Sequence, residues 1–387
     1  MEDPMKVPSA TIYKVVEWRA KRISDPVERL GYLRRSAKRR AASRWPNLKS
    51  PRSLVRIGLL VLAIVLIPFS TISDFRPLSA RTITPPVPLL PPDPYAVEKV
   101  WLVENRDGQE IYSNSLRVET RFQLQKGMEP DETWYRVKIG TKVPVAMERP
   151  VGIVFHTTES NLAPFQEAHN KQLKSFGESL LAFIRDKRSY HYMIDRFGRV
   201  WRITPESEPA FHAGSSIWQE PEWNYINLNH SFLGVSFEAQ TKAEGEPIVT
   251  EAQKASAKLL TAMLRGKYKI PTYNCVTHAQ VSVSNDNYGI GLHTDWAGDF
   301  PFAEVGLPDN YQIPLPSVYE FGFHYDSSFV NSTGERLWRG LTKAEAQLHL
   351  QAITQGVSAA QLSKRLREEY RQILENLKKE NNTEVKN

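Results

Sequence analysis

Two hydrophobic patterns alternate along the second half of the chain. Short apolar runs such as VGIVF (151–155) and LGVSFE (233–238) read as buried strands, while 163–186 and 250–268 carry the spacing of amphipathic helices. Thr250, with Glu251 in the first turn, marks where the second helix opens. YHYMID and RVWRIT flank Arg196-Phe197-Gly198 as a hairpin, and YNCVT (273–277) supplies a further strand. Strands alternating with helices predict an α/β domain over 149–325, a central mixed β-sheet flanked by helices. Upstream, 96–148 contains alternating patches such as VWLV and WYRVKI, which predict a small β-rich segment. Downstream, 326–387 is rich in Ala, Leu, Gln, Glu, Lys and Arg, which predicts a helical extension.

The pattern near the start of the chain is different. Residues 57–73 (IGLLVLAIVLIPFSTIS) are uncharged and have no polar face, and a strongly basic segment lies immediately upstream. At about 1.5 Å per residue the run just spans a bilayer core, so a single transmembrane signal anchor is expected there. Residues 1–56 are then a basic cytoplasmic segment and 74–95, with its run of prolines, a semi-rigid linker. The formal charge of +7 on 387 residues changes meaning once it is located. Residues 1–56 hold 15 Lys/Arg against 5 Asp/Glu, so the remainder is mildly acidic. That distribution fits a membrane flank and argues against a nucleic-acid partner. The single cysteine, Cys275, excludes an internal disulfide framework, and its place in a strand pattern makes it a small buried apolar residue rather than a ligand.

Candidate chemistry collects where the strands end. His156 follows VGIVF, Glu238 closes LGVSFE, His278 follows YNCVT, and LHTDWAGDFPF adds His293 and Asp295. A lone histidine after a strand is more often a hydrogen-bonded structural residue, but two with a carboxylate make an N/O donor set that suits zinc with one open position. The donors are scattered rather than carried on one helix, so spacing alone does not settle the matter. His191 alternates with Tyr190 and is expected to face away from it. Trp201 and Trp218 are expected in the core.

Five segments, IVFHTTES, SYHYMIDRFGRVWRI, FHAGSSIW, LGVSFEAQ and VTHAQ with LHTDWAGDFPF, resemble in order the zinc-dependent N-acetylmuramoyl-L-alanine amidase family, which also contains peptidoglycan-recognition proteins. The resemblance covers roughly 149–303. It implies Zn2+ on His156, His278 and Asp295, Tyr190 beside the metal, Glu238 as general base, and His212 in contact with substrate. His293 stands where the family usually has lysine and would take over stabilisation of the oxyanion. The implied substrate is peptidoglycan or a muropeptide, cut between the lactyl group of muramic acid and L-alanine. With the anchor, the implied location is the bacterial cytoplasmic membrane, with the catalytic domain outside. The alternative that the resemblance leaves open is a recognition module that binds peptidoglycan without cutting it. About ten added residues, VSVSNDNYGI among them, separate His278 from the HTD triplet; the entropic cost of a longer loop is small.

Overall fold

In a computed structural model of the chain, the described residues are 99–384, apart from 126–133, 142, 242–248 and 335. The strands are β1 (Leu102–Arg106), β2 (Gln109–Tyr112), β3 (Arg117–Glu119), β4 (Trp134–Lys138), β5 (Pro144–Met147), β6 (Gly152–Thr157), β7 (Tyr192–Ile194), β8 (Val200–Arg202), β9 (Ile217–Glu220), β10 (Trp223–Ile226), β11 (Phe232–Phe237) and β12 (Cys275–Thr277). Eight form one sheet in the order β1-β2-β3-β8-β7-β11-β6-β12; the other four form a second sheet, β5-β4-β10-β9. The large sheet is mixed. β6 is parallel to both β11 and β12, whereas β7 and β8 form the antiparallel hairpin expected from the sequence. Gly198 turns that hairpin at a φ of +81°, and a Cβ there would come within 2.8 Å of the Ala252 carbonyl oxygen.

The upstream β-rich segment does not stand apart. β3 pairs with β8 and so extends the large sheet, while β4 pairs with β10 in the second.

Each helix is placed by its apolar stripe. α1 (Asn170–Lys187) buries Leu181 and Ile184 against Met193, Trp201 and Ile203. α2 (Glu251–Tyr268) opens with a capping box between Thr250 and Gln253, which satisfies two free amides of the first turn. It buries Ala257, Leu260, Met263 and Leu264 against Ile153, Phe155, Val235 and Phe237. Val154 and Val276 point to the opposite face and pack with Trp218 and Phe232. Because alternate residues of a strand share a face, His156 falls on the Val154 side of β6, away from the Phe155 core.

α3 (His278–Val281) follows β12 directly. Beyond it come α4 (Pro316–Tyr319), α5 (Ser327–Ser332), α6 (Arg339–Thr354) and α7 (Ala359–Glu384). Leu341, Leu348, Leu362 and Tyr370 share one buried cluster with Ile217, Ala279, Val283 and Ala297. The added loop after His278 is braced by this C-terminal region: the Tyr370 hydroxyl donates to Asn285 at 2.9 Å, and Tyr288 packs edge-on to Phe323.

One part of the expected architecture is corrected. Among the described residues no helix is long and apolar enough to cross a membrane. α7 has the length, at 26 residues, but Lys364, Arg365, Arg367, Glu368, Glu369 and Arg371 confine its apolar side chains to one stripe. The segment 57–73, to which the transmembrane reading was attached, lies outside the described residues.

Candidate metal centre

The ends of β6 and β12 lie side by side, and this adjacency brings together residues far apart in sequence. His156 sits on β6 and His278 begins α3. Asp295 comes from the following loop, which is tied back where the Ala279 amide donates to the Asp295 carbonyl at 3.2 Å. One donor atom from each of His156, His278 and Asp295 lies within 4.8 Å of the others. His156 Nδ1 is 3.2 Å from Asp295 Oδ2, and His278 Nδ1 is 2.8 Å from Asp295 Oδ1. The two imidazole rings are 4.4 Å apart.

The tautomer of His156 can be assigned from the groups behind it. His212 Nε2 is 3.0 Å from the Phe232 carbonyl oxygen, which only accepts, so His212 carries its proton on Nε2. His212 Nδ1 is then an acceptor, and at 3.1 Å it takes the proton of His156 Nε2. In neutral His156 this leaves a bare lone pair on Nδ1, aimed at a carboxylate oxygen. Burial, then the neighbouring His278, push the His156 imidazole down to about 4, and burial holds His212 well below its ordinary value, so both rings are neutral near pH 7. Burial by itself would raise Asp295, but His278 and the two imidazole contacts outweigh it and hold the carboxyl well below the usual range.

An anionic oxygen facing a nitrogen lone pair is repulsive unless a cation lies between them. His278 Nε2, buried without a hydrogen-bond partner, is a second sign that the cluster is not complete through protein contacts alone. A neutral His156 imidazole and an ionised Asp295 carboxylate are also the protonation states that divalent-metal coordination requires. The donor set therefore fits a metal ion.

The other candidate residues divide around this cluster. The Tyr190 ring is 5.1 Å from that of His156, and its hydroxyl is pushed up by burial and by the charges of Asp295 and Glu159. His293 stacks on His278 with ring centres 4.7 Å apart and lines an open cavity of about 520 Å³ with Glu159, Gln240, Thr241, Leu292, Thr294 and Asp295. His212 is buried behind His156, not in this cavity. The approach needs Gly234, since a Cβ there would come within 2.6 Å of the His212 ring. His212, Ala213 and Gly214 are held by their amides, all three of which donate to Asn229 Oδ1.

Glu238 is turned elsewhere. Its Oε2 accepts from the Arg196 amide at 3.1 Å, and burial, with Asp195 and against Arg196 and Arg199, raises its carboxyl. The β11 residue in register with His156 is Ser236, whose hydroxyl donates to the Tyr192 carbonyl. The acid that does line the cavity, Glu159, was missed from sequence; the available signal was its place in HTTES, three residues beyond His156. His191 is buried and stacked on Trp134, and Trp218 and Trp201 fill the core as anticipated.

Fold and site together define an α/β protein with a His-His-Asp cluster whose donors fit a metal ion. Residues 146–294 match the family model described as N-acetylmuramoyl-L-alanine amidase. A relative, N-acetylmuramoyl-L-alanine amidase AmiD of Escherichia coli K12, is 29% identical over 118 residues, 27% of this chain and 41% of the relative. The chain thus spans less than half the length of this curated relative. Among solved structures, E. coli AmiD in complex with anhydro-N-acetylmuramic acid-L-Ala-D-gamma-Glu-L-Lys is 23% identical, covering 45% of this chain and 58% of that one, with a TM-score of 0.27. The amidase LysC of Clostridium intestinale is 22% identical, covering 45% and 91%, with a TM-score of 0.26.

Proposed function

We propose that the domain hydrolyses the amide between the lactyl group of N-acetylmuramic acid and L-alanine in peptidoglycan, with zinc held by His156, His278 and Asp295. The observation that carries this reading is the convergence of two imidazoles and one carboxylate, with the Nδ1 lone pair of His156 facing Asp295, inside the segment that matches the amidase family model. The muropeptide bound by the relative AmiD supports the substrate class. Zinc, when bound, supplies a Lewis acid that polarises the amide carbonyl and lowers the pKa of water toward about 7. The cavity beside Asp295 admits the peptide, and His293 in its wall and Tyr190 beside His156 donate hydrogen bonds to the oxygen that becomes anionic.

A second reading, recognition of peptidoglycan without cleavage, draws support from Glu238, which faces Arg196 instead of the cluster. The two are separated by incubating the zinc-loaded full chain with purified sacculi. Release of stem peptides that stops on chelation supports the hydrolase; retention on sacculi with no release overturns it in favour of the binding module.

A further inference from the structure

A hydrolytic site of this kind needs a group that takes a proton from water, and β11 offers none beside His156. Ser236 occupies the registered position and Glu238 is committed to Arg196. The cavity beside Asp295 is lined, among the described residues, by one further acid. Glu159 reaches it from the turn after β6, at a φ of +48°, with its amide donating to the Ala239 carbonyl at 3.1 Å. Its carboxylate is fixed: Oε1 accepts from the Thr241 amide at 2.9 Å, from the Thr157 hydroxyl at 2.5 Å and from the Thr241 hydroxyl. All three donors fall on Oε1, and Oε2 takes none of them.

We propose that Glu159 is the proton acceptor for the water that attacks the scissile amide, the task the sequence resemblance assigned to Glu238. The inference rests on the hydrolase reading above. Water transfers a proton to Glu159 Oε2 as its oxygen bonds to the amide carbon. The C–N bond then breaks, and the same proton passes from Glu159 to the departing alanine nitrogen, so the carboxylate is restored. The arrangement has a mechanical advantage: three donors on one oxygen hold the side chain still while the other oxygen takes none of them.

The test compares Glu159→Gln with Glu238→Gln in the zinc-loaded full chain. Glutamine keeps an Oε1 for the three donors and loses only the charge and the basicity, so folding and zinc content are expected to match the parent. Glu159→Gln is expected to lower kcat on sacculi by about 100-fold or more, with KM and zinc stoichiometry unchanged, the size of effect typical of a lost general base. Glu238→Gln is expected to stay within a few-fold. Glu159→Gln retaining parental kcat overturns the proposal, as does loss of kcat confined to Glu238→Gln. If the parent releases no peptide at all, the hydrolase reading fails, and a second measurement still decides where Glu159 points. In the Co2+-loaded chain, Glu159→Gln is expected to move the pH midpoint of the visible spectrum by about one unit, while Glu238→Gln leaves it in place. An unmoved midpoint in Glu159→Gln overturns the placement.

Discussion

Two buried clusters of ionisable groups lie in this domain, and they are built on opposite rules. Around Glu206, donors and acceptors match: the carboxylate accepts from the hydroxyls of Tyr192 and Tyr268 and from Lys267, with Arg202 3.7 Å away. Arg202 in turn donates to Glu110 at 2.5 Å and to Gln123 at 2.8 Å, and Tyr112 donates to Glu110 at 2.7 Å. Around Asp295 the Nδ1 lone pair of His156 opposes a carboxylate oxygen, and His278 Nε2 has no hydrogen-bond partner. Burial is common to both, so burial does not distinguish a site from a scaffold. What distinguishes them is whether the protein supplies the opposite charge or leaves a place for it.

The largest expected effect breaks the metal side of this contrast. Asp295→Asn preserves size but removes the anion, and it is expected to abolish zinc retention and to reduce peptide release by about a thousandfold, the several kcal/mol a metal contributes to the transition state. Metal analysis and turnover on sacculi check both. A variant that keeps zinc and turnover shows that the facing lone pairs are not a coordination set.

The matching change in the other cluster is Glu206→Gln. Burial alone would raise Glu206, but Lys267 and the bonds from Tyr192 and Tyr268 prevail and hold the carboxyl below its usual range. Removing its charge leaves Arg202 and Lys267 short of an anion, at an expected cost of about 3 kcal/mol in denaturant unfolding. Zinc stoichiometry is expected to remain at the parental value. If zinc binding falls instead of stability, the division into scaffold and site does not hold.

How far the sequence foresaw these clusters depends on what each residue's neighbours are. The strands VGIVF and LGVSFE, the hairpin and the helix opened by Thr250 were legible because local periodicity and turn chemistry fix them. The grouping of His156, His278 and Asp295 was legible only through the resemblance, because it depends on β6 and β12 being neighbours, which no local pattern states. Glu238 and Glu159 were not sorted. A residue just beyond a strand end takes its direction from tertiary partners, here the Arg196 amide for one and Thr241 for the other. The union of β1–β3 with the central sheet was equally hidden, since β3 pairs with a strand some eighty residues away.

Protonation sharpens the comparison from another side. The His156 imidazole falls from an ordinary 6.5 to about 4 on folding, through burial first and His278 second. As the pH drops below the unfolded value, the unfolded chain takes up a proton that the folded chain refuses. The metal-free protein is therefore expected to lose about 3 kcal/mol between pH 6.5 and pH 4, with no further loss from this group below that. Glu206 behaves with the opposite chemistry and the same sign. Its contribution is present above the unfolded carboxylate value and disappears as the pH falls through its lower folded value. Urea titrations across pH, on the parent and on His156→Asn, isolate the histidine limb; an unchanged limb in the variant assigns the acid sensitivity to other groups.

The smallest expected effect bears on His212, which sequence resemblance placed against substrate and the structure places behind His156. In His212→Ala the proton on His156 Nε2 loses its acceptor and can move to Nδ1, where it competes directly with the metal. Loss of such an outer partner typically costs 10–100-fold in metal affinity, about 1.4–2.7 kcal/mol. The variant is thus expected to release zinc to a competing chelator at correspondingly lower concentration, and to recover kcat toward the parent when zinc is supplied in excess, with KM unmoved. A substrate contact makes the reverse pattern: zinc affinity unchanged and KM raised. That result places His212 in the cavity wall and removes the tautomer argument on which the metal assignment of His156 depends.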